Sequence, residues 1–168
     1  RPLHATDLWR ALTDPPPYEP SEVGRLRDAL IPRCRDALVP AGPIHGDLHP
    51  WNLLLPELGG QPVVVDWAGY EENYPVAVDA IRSCVALYTA RTASDMRAGL
   101  EAFASGSVRG PLAEYASSHL GELSPLSASA LTLITHEHWD APLNPSIIRP
   151  YLDAVSAMAS RLDEAERP

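Results

Sequence analysis

A polar loop followed by two short apolar runs limits the folds that are open to this chain. The loop is HGDLHPWN, residues 45–52, and the apolar runs are LLL at 53–55 and VVV at 63–65. Two adjacent glycines lie between the runs, so the pattern predicts a tight turn and an antiparallel hairpin. Asp66 follows the second run directly. The sequence therefore predicts the polar loop, then a small hairpin, then a carboxylate, with a short strand edge at 44–45 leading into the loop.

Outside this region, apolar residues recur at the spacing of helices. A short helix is expected over residues 6–12, and prolines 15–17 predict a rigid connector after it. A second helix should begin near Ser21, and Pro32 should bend or end it. The expected fold class is mostly α with a small β-hairpin. Further helices are expected over 75–91, 94–105, 110–120, 126–139 and 146–164.

The composition limits the partners of the protein. The 168 residues are 45% apolar and 21% charged, which is ordinary for one globular domain. The net charge of −9 argues against nucleic acid as a partner, since phosphate binding needs a basic face. The sequence has no run of about 18 apolar residues, which a membrane span would need, so no membrane partner is expected. Cys34 and Cys84 lack CxxC spacing, which indicates reduced thiols in a cytoplasmic protein.

Asp47, Asn52 and Asp66 have the spacing that phosphoryl transfer uses. In that chemistry an Asp takes the proton of the acceptor hydroxyl. An Asn five residues later and an Asp after a following strand hold Mg²⁺ against the nucleotide phosphates. Oxygen ligands of this kind suit Mg²⁺, which is a hard cation. The pattern therefore indicates Mg²⁺ and a nucleotide as cofactors.

The stretches IHGDLHPWNLLL (44–55) and VVVDWAGY (63–70) resemble the aminoglycoside phosphotransferase family. These small-molecule kinases are related to choline kinases and have a protein-kinase-like fold. The resemblance implies an ATP-dependent phosphotransferase that moves the γ-phosphate of ATP to a hydroxyl group of a small-molecule acceptor. It therefore implies ATP and Mg²⁺ as cofactors.

The resemblance also implies a role for each polar residue of the motif. Asp47 would be the catalytic base, and His45 would brace the loop. His49 occupies the position where protein kinases usually carry a lysine that contacts the transferred phosphate. Asn52 and Asp66 would bind the metal ion and, through it, the nucleotide.

Other acidic residues are candidates for structural or substrate-binding roles. Asp79, in YPVAVDAI, resembles a family aspartate that follows the metal-binding Asp, and it is expected to start a helix or brace a loop. The net charge is compatible with a cationic acceptor. The residues that would line such an acceptor site are Glu71, Glu72, Glu137 and Asp140.

The sequence lacks the features of one lobe of such a kinase. A kinase of this type has an N-terminal β lobe with a lysine that grips the phosphates, but this chain contains no lysine. Nothing before residue 44 has the pattern of a five-stranded sheet. We therefore expect the C-terminal lobe of a protein-kinase-like fold, with the N-terminal β lobe absent. Residues 1–43 would be a helical segment after the hinge, and residues 44–168 the hairpin and helical lobe, together one structural domain. The N-terminal lobe, from the same parent chain or another chain, is then an expected partner.

Two other functions remain open. His45, Asp47 and His49 alternate as H-x-D-x-H, and with Asp66 they could hold Zn²⁺ or Mn²⁺ in a metal-dependent hydrolase. Such an enzyme has no need of Asn52. A lobe that cannot grip a nucleotide could instead be a non-catalytic binding module.

Overall fold

The computed structural model describes residues 1–14, 19–54, 56, 60–135 and 145–165. Three single-turn 3₁₀ helices lie at Leu3–Ala5, Pro50–Asn52 and Trp67–Gly69. The expected fold class, mostly α with a small β-hairpin, is confirmed. In the described ranges the helices and strands are α1 (Asp7–Thr13), α2 (Ser21–Cys34), β1 (Ala41–Ile44), β2 (Leu53–Leu54), β3 (Val63–Val64), β4 (Glu71–Pro75), α3 (Val76–Thr92), α4 (Met96–Ala104), α5 (Pro111–Ser118), α6 (Pro125–Ile134) and α7 (Pro145–Ala165).

The predicted hairpin is formed by β2 and β3. The two strands are antiparallel, and Leu53 pairs with Val64 while Leu54 pairs with Val63. The chain leaves β3 through Val65 and reaches Asp66, as the sequence predicted. The hairpin therefore places a carboxylate two residues after its second strand.

A second strand pair was only half predicted. β1 ends at Ile44 and so overlaps the expected strand edge at 44–45 by one residue. Its antiparallel partner β4 lies in a stretch without an apolar alternation. Ala41 pairs with Pro75, Gly42 with Tyr74, and the register shifts before Ile44 pairs with Glu71. β4 is a strand because β1 pairs with it, and its exposed glutamates give no strand pattern in the sequence.

Within the described residues, the helices agree with the expected positions to within a few residues. The end of the helix expected over 126–139 and the connector expected at prolines 15–17 lie outside the described residues. Pro32 does not end α2, which continues to Cys34. The proline removes one hydrogen bond to the carbonyl of Asp28, on an exposed part of the helix where water can replace it. On the opposite side, Val23, Leu26 and Leu30 are fully buried, as their spacing predicted.

One hydrophobic core joins the described elements, from Leu3 near the amino end to Leu162 in α7. Helix α3 lies at its centre and packs against α4, α5 and α6. Nine consecutive residues of this helix, Ala77 to Val85, are buried. Because a helix buried on all sides exposes no face to water, every polar side chain in this segment needs a partner within the protein.

Cys34 and Cys84 are free thiols inside this core, as expected. Among the described helices, none combines the length and the apolar character that a membrane crossing requires.

Candidate active site

The carboxylate of Asp79 fixes the start of the polar loop. It accepts the backbone N–H of His45 at 2.6 Å and that of Gly46 at 3.1 Å. Asp79 is 6% exposed and lies in the first turn of α3. Hydrogen bonds from backbone donors to a buried carboxylate are strong because the acceptor is charged. The expectation that Asp79 braces a loop agrees with these contacts.

Gly46 can only be glycine in this structure. Its φ of +81° is in the left-handed region, which side chains disfavour. A Cβ atom at this position would lie 1.7 Å from the carbonyl oxygen of Gly69. The turn after the hairpin therefore packs directly against the backbone of the polar loop.

His45 is buried, and both of its ring nitrogens are used inside the protein. Nδ1 accepts the backbone N–H of Asp47 at 3.3 Å, so the ring proton is on Nε2. Nε2 then donates to the carbonyl of Val65 at 2.8 Å. The ring also packs on Trp67, with 4.7 Å between ring centroids. His45 thus connects the polar loop to the end of the hairpin.

Asp47, His49 and Asn52 lie together in the polar loop. The side-chain amide of Asn52 donates to the carbonyl oxygen of Asp47 at 2.9 Å and approaches its carboxylate at 3.4 Å. The Asp47 carboxylate also lies 3.3 Å from Nε2 of His49. Asn52 is buried, whereas the side chain of Asp47 is 49% exposed. The carboxylate is therefore held from two sides and open to solvent.

The second contact of His49 determines which nitrogen of its neutral ring carries the proton. Its Nδ1 accepts the backbone N–H of Trp51 at 3.2 Å and caps the 3₁₀ helix Pro50–Asn52. The proton of a neutral ring is then on Nε2, which points at Asp47. This ring nitrogen of His49 lies 3.3 Å from the Asp47 carboxylate.

Asp66 follows the hairpin close to Asn52. The backbone N–H of Val65 donates to the carbonyl of Asn52 at 3.0 Å, which brings the next residue beside the polar loop. Asp66 is exposed and has φ 61° and ψ 63°, a left-handed conformation that Asp tolerates better than most residues. Such strain is common at functional sites.

The donor atoms of Asn52 and Asp66 fit a magnesium ion. The amide nitrogen of Asn52 faces Asp47. The amide oxygen accepts no hydrogen bond from a described residue, so it is the atom left to bind a metal ion. Asp66 adds a carboxylate without an ion pair in the described part of the chain. Mg²⁺ commonly takes one or two protein oxygens and completes its shell with waters and phosphates.

Two polar residues of α3 contact this region and were not singled out from the sequence. The hydroxyl of Ser83 donates to the carbonyl of Leu48 at 2.6 Å. Burial lowers the pKa of Arg82, and the charges of Asp79 and Asp47 oppose that shift. Asp79, Arg82 and Ser83 have i, i+3 and i+4 spacing in an otherwise apolar segment. In the sequence alone, that spacing indicates a polar stripe on one face of α3, the face that lies against the loop.

The structure describes two of the four candidate acceptor residues. Glu71 and Glu72 are exposed on β4, and Glu71 lines a small cavity with Gly46 and Gly69. Glu137 and Asp140 lie outside the described residues.

The metal-hydrolase alternative does not fit the geometry. Both ring nitrogens of His45 already have partners, so neither is free to bind a metal ion. Among the described residues, no group of three His, Cys, Asp or Glu side chains could hold one.

A comparison with protein families gives one match. The model of the APH phosphotransferase enzyme family matches residues 1–116. This range contains the polar loop, the hairpin, Asp66 and the whole of α3. No curated protein and no solved structure matches the chain.

Proposed function

Because the chain belongs to the APH phosphotransferase enzyme family, we propose that it is the catalytic lobe of an ATP-dependent kinase for small molecules. The reaction is transfer of the γ-phosphate of ATP to a hydroxyl group of the acceptor. The observation that carries the proposal is the hydrogen bond from the Asn52 amide to the backbone of Asp47. It holds the candidate base and a candidate metal ligand in one turn.

In the proposed reaction Asp47 receives the proton of the acceptor hydroxyl. The acceptor oxygen forms a bond to the γ-phosphorus while the bond from that phosphorus to the β–γ bridging oxygen breaks, and ADP leaves. Nε2 of His49 lies 3.3 Å from one carboxylate oxygen, and the exposed half of the side chain is free to meet the acceptor. Phosphoryl transfer depends mainly on positioning and charge, and both are supplied by a braced loop.

Asn52 and Asp66 are the proposed ligands of Mg²⁺. When bound, the ion neutralises charge on the β- and γ-phosphates. The residues behind the ligands keep them in place: Val65 bonds to the backbone of Asn52, and His45 bonds to Val65.

We also propose that a separate N-terminal lobe supplies the nucleotide grip. The chain has no lysine to hold the phosphates. Around the hairpin, Leu54, Val63 and Trp67 each expose more than half of their surface. Contiguous exposed apolar side chains of this kind favour a surface that another protein segment covers.

The kinase proposal is tested in the full natural protein by ADP formation with a panel of hydroxyl-bearing small molecules. Asp47→Ala should lower kcat at least about a hundredfold with little change in nucleotide affinity. Asp66→Ala should instead weaken binding of ATP in the presence of Mg²⁺. Asp153 is an exposed aspartate of α7, so Asp153→Ala is the matched control and should change neither kcat nor the binding of ATP. Turnover within a few-fold of wild type in Asp47→Ala would reject Asp47 as the base.

The lobe proposal needs a different measurement, the intact mass of the natural gene product. A product near twice the 18.2 kDa of this chain supports an N-terminal lobe in the same polypeptide. A product of this size that forms no ADP, alone or with cell extract, would favour the non-catalytic binding module.

A further inference from the structure

A cavity of about 280 Å³ opens beside the polar loop. His49 and Trp51 form its edge on the loop side, and helices α3, α4 and α6 form the rest of its wall. Most of that wall is apolar, with Val85, Met96 and Leu100 among the lining residues. A cavity of this size can hold a molecule with one six-membered ring.

Arg82 supplies the charge in this cavity. The residue is only 7% exposed, yet its guanidinium makes one hydrogen bond within the described structure, from Nη2 to the carbonyl of Thr135 at 3.1 Å. Nη1 forms an ion pair with the Asp79 carboxylate at 3.9 Å, a distance too long for a hydrogen bond. Nε is buried and has no partner. A buried guanidinium normally satisfies most of its five donors, so Arg82 has donors to spare.

The lining of the cavity determines which charge its ligand carries. No carboxylate is among the described residues that line it. Arg82 also borders a smaller cavity of about 170 Å³, but that cavity contains Glu71, which would repel an anion. The larger cavity therefore combines a positive group, an apolar wall and direct contact with the polar loop.

We propose that Arg82 binds an anionic group, a carboxylate or a phosphate, of the acceptor molecule. The apolar body of the acceptor lies in the cavity, and its hydroxyl group reaches Asp47 at the loop. The cavity is lined by both Arg82 and His49, and Nε2 of His49 lies 3.3 Å from the Asp47 carboxylate, so one small molecule can reach from Arg82 to Asp47. The assignment of the ligand as the acceptor rests on the proposed kinase function. The preferred acceptor is then anionic, and the cationic acceptor expected from the net charge is disfavoured at this site.

Three matched probes test the charge preference on the wild-type chain. They are para-hydroxymethylbenzoate, its neutral amide and the corresponding cationic benzylamine, each titrated by NMR. We expect the acid to bind at least about tenfold tighter than the amide, and the amine to bind most weakly. Equal binding of acid and amide, or tightest binding of the amine, would overturn the proposal without any variant.

Variants then assign the preference to Arg82. Arg82→Gln should abolish the difference between acid and amide, and Arg82→Lys should retain part of it, since lysine keeps the charge but loses the planar fork. Arg97→Gln is the control, because Arg97 is an exposed arginine of α4 that pairs with Glu101. It should leave the preference unchanged. A preference that survives Arg82→Gln would overturn the role of Arg82.

The same probes separate this inference from the kinase proposal. If the acid binds through Arg82 but gives no ADP with ATP and Mg²⁺ in the full natural protein, the site stands and its assignment to a kinase acceptor falls. If the amine is phosphorylated and the acid is not, the kinase stands and the anionic acceptor is overturned.

Discussion

The carboxylate of Asp79 accepts the backbone N–H of His45 at 2.6 Å, across 34 residues of the chain. This bond connects helix α3, which has nine consecutive buried residues, to the polar loop. It makes the position of Asp47, two residues further on, depend on the packing of α3.

Asp79→Asn should therefore lower the free energy of unfolding. The substitution replaces a charged acceptor of two backbone donors by an amide that can accept with one atom only. We expect a loss of about 1.5–3 kcal/mol, measured by urea denaturation. Asp163→Asn removes the same charge from an exposed ion pair with Arg25 and should cost less than about 1 kcal/mol. Equal losses in the two variants would contradict the bracing role of Asp79.

Gly46→Ala should be far more damaging than a similar change at another left-handed glycine. Gly106 has a φ of +71°, and a Cβ there would meet nothing within 4 Å, so Gly106→Ala should cost about 1 kcal/mol from backbone strain alone. At Gly46 the added Cβ also collides with the backbone of Gly69. We expect a further loss of about 2 kcal/mol or more in urea denaturation. Similar midpoints for the two variants would show that the two backbones do not pack this closely.

Ser83→Ala should increase the mobility of the middle of the polar loop. The hydroxyl of Ser83 bonds to the carbonyl of Leu48, so its removal leaves that acceptor without this partner, at a cost of about 1–2 kcal/mol. Ser160→Ala is the control, since that exposed hydroxyl bonds only to the preceding turn of its own helix. Amide hydrogen exchange should accelerate at residues 46–52 in Ser83→Ala and stay unchanged in Ser160→Ala. Unchanged exchange in both would contradict the prediction.

The stability of the protein should fall at alkaline pH. Burial raises the pKa of the Cys84 thiol from 9.0 to about 11. The unfolded chain loses this proton near pH 9, whereas the folded chain keeps it until about pH 11. The contribution of the protonated Cys84 thiol to the free energy of unfolding is therefore complete below pH 9 and is lost as the pH rises through 11. Urea denaturation at a series of pH values should show this decline, and Cys84→Ala should show a smaller slope in the same window. Equal slopes would reject Cys84 as a source of the decline.

The sequence by itself determined the features that depend on neighbouring residues. The pairing of the two hairpin strands follows from two apolar runs that the sequence separates by two glycines, and the contact of Asn52 with Asp47 forms between residues five apart. The helix positions follow from apolar spacing over a few turns. In each case the backbone geometry of a short segment fixes which side chains meet, so the pattern is sufficient.

Only the tertiary structure decided which distant groups support the loop. The pairing of β4 with β1, the bond from Ser83 to Leu48 and the collision that excludes a side chain at Gly46 all join separate segments. The cavity beside Arg82 likewise exists only where three helices meet the loop. Apolar spacing shows which face of a helix is buried, but the partner of that face depends on how the whole core packs. The polar stripe of α3 was visible in the sequence, and its partners were decided by that packing.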